Sequence, residues 1–321
     1  MDTAALIAID WGTTSARAYR LDGAGHIVGE RSAPLGIQTV RDGAFAAAQT
    51  AILGAWAEDT APRLACGMIG SRQGWIEAPY CQCPAELSAL AHVLTRTPDG
   101  ALLIVPGLTC RDGAGVPDVM RGEETQILGT TAGDDAAGLS RSLVVLPGTH
   151  SKWAIVAGTR IETFATFMTG ELYAVLRNHS ILGRMMTGDG AVGDVRSPAF
   201  MRGVERGLDS GSTGVALLHD LFGARTLALC GELAPVQAAD YLSGLLIGNE
   251  LREGHAWAMG RGAAGARTVL VGVPALTERY ASAFAALGIA THPGPINAAA
   301  DGLWRIAQQS GLVPTHRSMT A

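Results

Sequence analysis

At 321 residues, 48% of them apolar and 42 of them glycine, the chain can bury sizeable cores and reads as globular α/β, with two domains favoured. Its net charge of −5 leaves no basic footprint for nucleic acid, and no window approaches the ~20 apolar residues of a membrane helix. The N-terminal run between Asp2 and Asp10 reads as a strand rather than a signal peptide, and five cysteines without scaffold density point to a reducing cytoplasm.

Along the first half, residues 6–10 are an apolar run expected to form a strand. Strands at 17–21 and 26–31 would complete an antiparallel meander. Residues 44–58 carry alanine-rich helical spacing and are expected to form one helix. A strand-like run at 63–71 ends in a glycine and hydroxyl loop, followed by a helix at 84–97 and a strand at 102–108. A short helix then starts with Glu123 and Glu124 and stops near Gly129. The small, polar stretch 134–141 suggests a boundary between domains 1–139 and 140–321.

The second half repeats the plan, with paired strands around Gly148, a strand at 163–167 and helices at 170–179, 197–208 and 215–221. Residues 234–253 are expected to be helical, 268–273 a buried strand, and 276–287 a helix. The last helix, 297–309, puts Ala300, Leu303, Trp304 and Ala307 on one stripe. Alternation of strands and helices makes each half α/β.

The two strand–turn–strand segments that open the halves carry the chemistry. Gly12, Thr13, Thr14 and Ser15 form one turn, and Gly148, Thr149 and Ser151 form the other. Glycine lets backbone N–H groups approach an anion and a short hydroxyl adds a donor, so each turn suits a phosphate. Lys152 is the sole lysine among 24 basic residues. Arginine-rich codon usage and a compact ammonium placed beside a phosphate explain it equally well. Cys81 and Cys83 lack a second pair at zinc spacing.

The strand ending in Asp10 and the following Gly-Thr-Thr resemble the first phosphate motif of the sugar-kinase, Hsp70 and actin superfamily, and PGTHSK resembles its second. TVLVGVPALTERY resembles its adenosine motif, with Gly272 and Pro274 at the helix start. More narrowly, DWGTTSARAYRL, CGMIGSRQGWIEAPYC, DVMRGEETQILG, LPGTHSKW and FMTGELYAVLRNHSILGR together resemble the 2-dehydro-3-deoxygalactonokinase family, from residue 7 to about residue 310. The resemblance implies two ribonuclease H-like, actin-like ATPase domains with a nucleotide cleft between them. It implies ATP and Mg²⁺ as cofactors and a sugar acid as substrate.

On that reading Asp10 holds Mg²⁺ through water, since the ion keeps part of its hydration shell. Gly12, Thr13, Thr14, Gly148, Thr149 and Ser151 wrap the phosphates, with Arg17 and Lys152 as charged neighbours. Glu123 is the expected base because RGEETQILG resembles the helix start that carries it in related kinases, where Asp is usual. Asp118 is the runner-up and Glu124 the third choice. Ser71, Arg72, Gln73 and Trp75 are expected to bind the sugar acid, Arg72 through its carboxylate. Glu171 and Arg177 are weaker choices, and His150 reads as a donor rather than a metal ligand. The implied reaction is ATP-dependent phosphorylation of the terminal 6-hydroxyl of 2-dehydro-3-deoxy-D-galactonate. Another sugar or sugar-acid kinase, an exopolyphosphatase-like hydrolase and a nucleotide-switch protein are the alternatives. A homodimer is allowed but is not read from the sequence.

Overall fold

A computed structural model of the chain describes residues 4–131, 141–187, 197–212, 214 and 216–315. Most of the expected boundary stretch therefore lies outside the described residues. The chain divides into two compact units. One comprises Met1–Ser140, Val156–Phe164 and Asn297–Ala321, and the other Arg141–Ile155 and Ala165–Ile296. The C-terminal helix, expected with the second domain, thus belongs to the first unit.

In the first unit, β1 (Leu6–Trp11), β2 (Ala16–Leu21) and β3 (Ile27–Ala33) form the expected antiparallel meander. Helix α1 (Phe45–Leu53) is shorter than the 44–58 expected, because Gly54 takes φ +54° and the chain continues as a 3-10 turn, Gly54–Glu58. Strand β4 (Arg63–Cys66) runs parallel to β1 and stops where Gly67 takes φ +94°. Then come β5 (Tyr80–Gln82), β6 (Ala85–Glu86), α2 (Leu87–His92) and β7 (Thr95–Arg96). The helix expected over 84–97 is broken at both ends; the β-branched Val93 and Thr95 favour extended backbone after its last turn. Strands β8 (Leu103–Ile104), β9 (Gly107–Arg111) and β10 (Pro117–Met120) lead into α3 (Glu123–Thr130). The main sheet has the order β3-β2-β1-β4-β8-β7, and β10-β9-β5 form a second, three-stranded sheet.

Strand alternation sorts the side chains of β1. Ile7, Ile9 and Trp11 enter a core with Phe45, Ile52 and Leu53 of α1. Asp10 stands on the opposite face.

The second unit is built from β11 (Arg141–Leu146), β12 (Ser151–Ala157), β13 (Arg160–Phe167), α4 (Thr169–His179), α5 (Pro198–Leu208), α6 (Leu217–Leu229), α7 (Ala238–Met259), β14 (Arg267–Leu270), α8 (Pro274–Ala286) and β15 (Thr291–Pro293). The far end of the β12–β13 hairpin counts with the first unit, where Arg160 and Ile161 pair with Glu86 and Ala85. The second main sheet runs β15-β14-β11-β12-β13, with β14 parallel to both β11 and β15. Numbered by order of appearance, the first sheet reads 3-2-1-4-6-5 and the second, from β13 to β15, reads 3-2-1-4-5, so both share the order 3-2-1-4. That shared order is the expected ribonuclease H-like duplication.

Ser197 caps α5 by accepting from Phe200 N at 3.1 Å, with Pro198 at the first helical position. Finally α9 (Ala298–Gln309) buries Ala300, Leu303, Trp304 and Ala307, the predicted stripe. It packs so closely on α3 that a Cβ on Gly302 would lie 1.9 Å from Thr125 O. No described helix is long and apolar enough to cross a membrane.

Candidate active site

In the first unit, two glycines bring the carboxylates together. Gly67 adopts φ +94°, and a Cβ there would lie 2.7 Å from Trp11 O and 3.4 Å from Asp10 Oδ1. Gly122 adopts φ +108°, and its Cβ would lie 3.0 Å from Gly67 Cα. Only glycine takes these backbone angles without strain and also lets two backbones approach so closely. The start of α3 therefore sits beside the end of β1.

Asp10 is half-buried and faces Arg17 across the β1–β2 ladder. Cys66 Sγ lies 3.9 Å from its Oδ1, and the Gln126 side chain hydrogen-bonds it. Burial pushes the Asp10 carboxyl above its ordinary value and the Glu123 charge adds to this, while Arg17, Cys66 and Gln126 oppose both. Gln126 lies one helical turn after Glu123 on the same face, and neither it nor Cys66 was expected at the site. The spacing of Gln126 from Glu123 was the available signal.

The three carboxylates considered for the base have different surroundings. Glu123 is half-buried, and its Oε2 accepts from Arg121 N at 3.0 Å. Glu124 is 0% exposed; Gly122 N donates to its Oε2 at 2.6 Å and Thr125 Oγ1 to its Oε1 at 2.9 Å. Burial first, then the neighbouring Glu123 charge, raise its pKa to about 7. Asp118 stands half-buried on β10, opposite Cys110, and accepts from Val119 N at 2.7 Å.

The first turn is held from outside. Gly12 N donates to Ser15 O at 2.9 Å, while Ile37 N and Gln38 N take the carbonyls of Gly12 and Thr13 at 3.1 Å each. Occupied carbonyls leave the turn's outward groups to be N–H donors and hydroxyls, and Thr14 and Ser15 are exposed. Arg17 is exposed on β2.

In the loop after β4, Arg72 is exposed and pairs with Glu77 at 3.6 Å, and Gln73 is exposed. Trp75 is half-buried and stacks on Phe45 with centroids 6.2 Å apart, so one face of its ring packs against the core. Ser71 Oγ is buried without a partner, as are Nε and Nη1 of Arg121. The Arg121 guanidinium lies over the Tyr80 ring at 4.2 Å and donates to Ala78 O at 2.7 Å.

In the second unit, Thr149 and His150 are exposed, and His150 Nε2 lies 2.5 Å from Glu171 Oε2. Glu171 N donates to Thr149 O at 3.0 Å, and a Cβ on Gly170 would lie 2.4 Å from Gly148 O, so α4 packs directly behind the turn. Ser151 is 0% exposed, which sets its hydroxyl beneath the turn and not on its surface. Lys152 is 5% exposed within β12 and donates to Thr166 Oγ1 at 2.8 Å. Gly272 and Pro274 are exposed, and a Cβ on Gly272 would lie 3.5 Å from Pro147 O. The phosphate-type and adenosine-type segments thus adjoin at the C-terminal ends of the parallel strands β11 and β14, where open α/β sheets bind ligands.

The sequence model of the 2-keto-3-deoxy-galactonokinase family matches residues 10–306. The chain belongs to that family. It is 37% identical over 286 residues to the 2-dehydro-3-deoxygalactonokinase of Escherichia coli (strain K12), covering 89% of this chain and 91% of that one. A Rhizobium meliloti (strain 1021) protein proposed to be such a kinase is 39% identical over 254 residues, 76% of this chain and 78% of that one. The crystal structure of a Sinorhizobium meliloti protein, also proposed to be such a kinase, superposes with a TM-score of 0.84 at 35% identity, covering 97% of this chain and all of that one. Membership makes the chain a carbohydrate kinase and fixes the class of chemistry its site residues serve.

Proposed function

We propose that the chain transfers the γ-phosphoryl group of ATP to the terminal 6-hydroxyl of 2-dehydro-3-deoxy-D-galactonate. The products are ADP and 2-dehydro-3-deoxy-6-phosphogalactonate, an intermediate of galactonate catabolism. The observation that carries the reading is Asp10 beside Glu123, one carboxylate at a strand end and the other at a helix start. Phosphoryl transfer needs a positioned hydroxyl, charge neutralisation and a base.

Glu123 accepts the proton of the attacking hydroxyl; its half-exposed carboxylate is reachable by a substrate, whereas that of Glu124 is sealed and already engaged by Gly122 and Thr125. The substrate oxygen then bonds to the γ-phosphorus as the bond to the β,γ-bridging oxygen breaks, and ADP leaves with that electron pair. Asp10 would hold Mg²⁺: a half-buried, hard carboxylate at a strand end suits an ion that keeps several of its waters. Bound there, Mg²⁺ would neutralise phosphate charge. Thr13 and Thr14 donate to the phosphates, with Gly12 shaping their turn through its bond to Ser15 O and Arg17 adding charge. Thr149 donates to the phosphates as well, with Gly148 shaping its turn and Gly272 and Pro274 beside the adenosine. Lys152 and Ser151 support the second turn from within. Arg72, Gln73 and Ser71 take the sugar acid, with Trp75 holding their loop against Phe45. Dependence on ATP places the enzyme in the cytoplasm.

A coupled ADP-release screen tests the assignment across 2-keto-3-deoxy-galactonate, its gluconate epimer, simple aldonic acids and polyphosphate. Turnover is expected to be highest with the galactonate derivative. Silence on every sugar acid, or turnover of polyphosphate without an acceptor, overturns it.

A further inference from the structure

Beneath the second hydroxyl turn, a buried chain of hydrogen bonds ends on a carboxylate that the mechanism does not use. Gly148 N points to Ser151 Oγ at 3.4 Å, Ser151 Oγ lies 3.0 Å from Tyr280 Oη, and Tyr280 Oη donates to Glu250 Oε2 at 2.6 Å. The other carboxylate oxygen accepts from Trp153 Nε1 at 2.8 Å. The Thr169 hydroxyl bonds both Glu250 and Tyr280, and the Ser151 hydroxyl also reaches Glu250. Ser151 and Trp153 are 0% exposed, and Tyr280 and Glu250 1%. The groups that meet Glu250, from β12, α4 and α8, are hydroxyls and an indole N–H, so hydrogen bonds and not an ion pair hold it.

Donor and acceptor rules fix the direction of this chain. An indole N–H can only donate, so Trp153 commits one oxygen of Glu250. Burial pushes the Glu250 carboxyl up and the hydrogen bonds from Thr169, Trp153, Tyr280 and Ser151 oppose it; in the ionised form it accepts on the other oxygen as well, which turns the Tyr280 proton toward Glu250. Ser151 then donates to Tyr280 Oη or to Glu250 itself and keeps a lone pair for Gly148 N–H. An amide of the same shape cannot serve both ends: its NH₂ must face either the Trp153 N–H, a clash of donors, or Tyr280. In the second case Tyr280 turns its proton onto Ser151, which reverses that link and reorients the Ser151 hydroxyl beneath Gly148 N–H. A carboxylate at position 250 is therefore the group that orients the turn.

We infer that Glu250 is a positioning residue for the nucleotide, acting through Tyr280 and Ser151 to fix the Gly148–Thr149 turn. The inference rests on the proposed role of that turn in holding ATP phosphates. Tyr280 also stands on the helix that Pro274 opens, so one buried carboxylate braces both nucleotide segments of this unit.

The test uses Glu250→Gln and Tyr280→Phe in the full chain, with Mg-ADP titrated by calorimetry and KM for ATP, KM for the sugar acid and kcat measured separately. One mis-set hydrogen-bond chain is expected to weaken Mg-ADP and raise KM for ATP about tenfold in each variant, with KM for the sugar acid unchanged. The double variant should be no worse than the poorer single one, because both break the same chain. A merely structural role would lower kcat with the active fraction and leave both KM values alone. Nucleotide affinity within twofold of wild type in the folded variants, or additive losses in the double variant, overturns the inference. Should Glu250→Gln fail to fold, Tyr280→Phe decides, since it removes one oxygen and keeps the ring. Wild-type protein that binds Mg-ADP but phosphorylates no sugar acid overturns the substrate assignment alone; wild-type protein that binds no nucleotide overturns both.

Discussion

Glu124→Gln should make the protein's stability much less sensitive to pH. The folded-state pKa of Glu124 is about 7 against an ordinary value of 4.5, so the native state holds this proton more tightly than the unfolded chain does. The stability associated with the protonated acid is therefore complete below 4.5 and is lost as pH rises through 7. Applying linkage with these two values, wild type loses about 2.5 kcal/mol between pH 5 and pH 8 through this one group. Glutamine copies the protonated acid: its carbonyl can accept from Gly122 N and its amide can donate to Thr125 Oγ1, so no buried partner is stranded. The raised pKa of Asp10 comes from burial and Glu123, both unchanged in the variant, so its contribution cancels in the comparison. Melting wild type and variant at pH 5 and pH 8 without added Mg²⁺ should show the gap between them shifting by about 4 °C in favour of the variant at the higher pH. A gap that stays constant across that range would refute a buried, proton-binding Glu124.

Other outcomes follow from the same geometry. Glu123→Gln should lower kcat by about 10²–10⁴ with KM for ATP within twofold, whereas Asp118→Asn should stay near wild type; steady-state kinetics with the reverse pattern moves the base to Asp118. Arg72→Ala should raise KM for the sugar acid about 10- to 100-fold, as expected for loss of a charge-assisted contact, and leave KM for ATP unchanged. Gly302→Ala should destabilise by about 1–3 kcal/mol in urea unfolding, because its Cβ would meet Thr125 O at 1.9 Å and force α9 off α3.

Much of the fold was legible because period and composition agree locally. The β1–β2–β3 meander, the amphipathic stripe of α9 and the start of α3 at Glu123 all lie where hydrophobic spacing and glycine placement put them. Long-range organisation was harder to read. Local pattern gives α9 a buried face but not its partner, and that partner is α3, far back in the chain. Glycine was under-read as a terminator at Gly54 and Gly67, where positive φ ends an element that composition alone would continue. Trp75 and Ser151 show the same limit at the site: residue type suggested an exposed sugar platform and a surface donor, yet the ring stacks on Phe45 and the hydroxyl lies under its turn.

The adjacent pair Glu123 and Glu124 shows why a motif cannot assign roles by itself. Successive helical residues point about 100° apart, so one of two neighbouring carboxylates at a helix start faces inward if the other faces the site. Which one does so depends on the phase at which the helix begins, and Gly122 sets that phase at φ +108°. Gly67 sets the distance, since anything larger would hold the start of α3 away from β1. Once both glycines are placed, Glu124 turns into the interior and binds the backbone that made the turn, and Glu123 is left half-exposed beside Asp10. A single buried charge then reinforces the arrangement: it is least costly when Glu124 carries its proton, which also removes a negative neighbour from Glu123. The acidic pair thus works as a brace and a candidate base, and two glycines, with no side chains of their own, decide which residue is which.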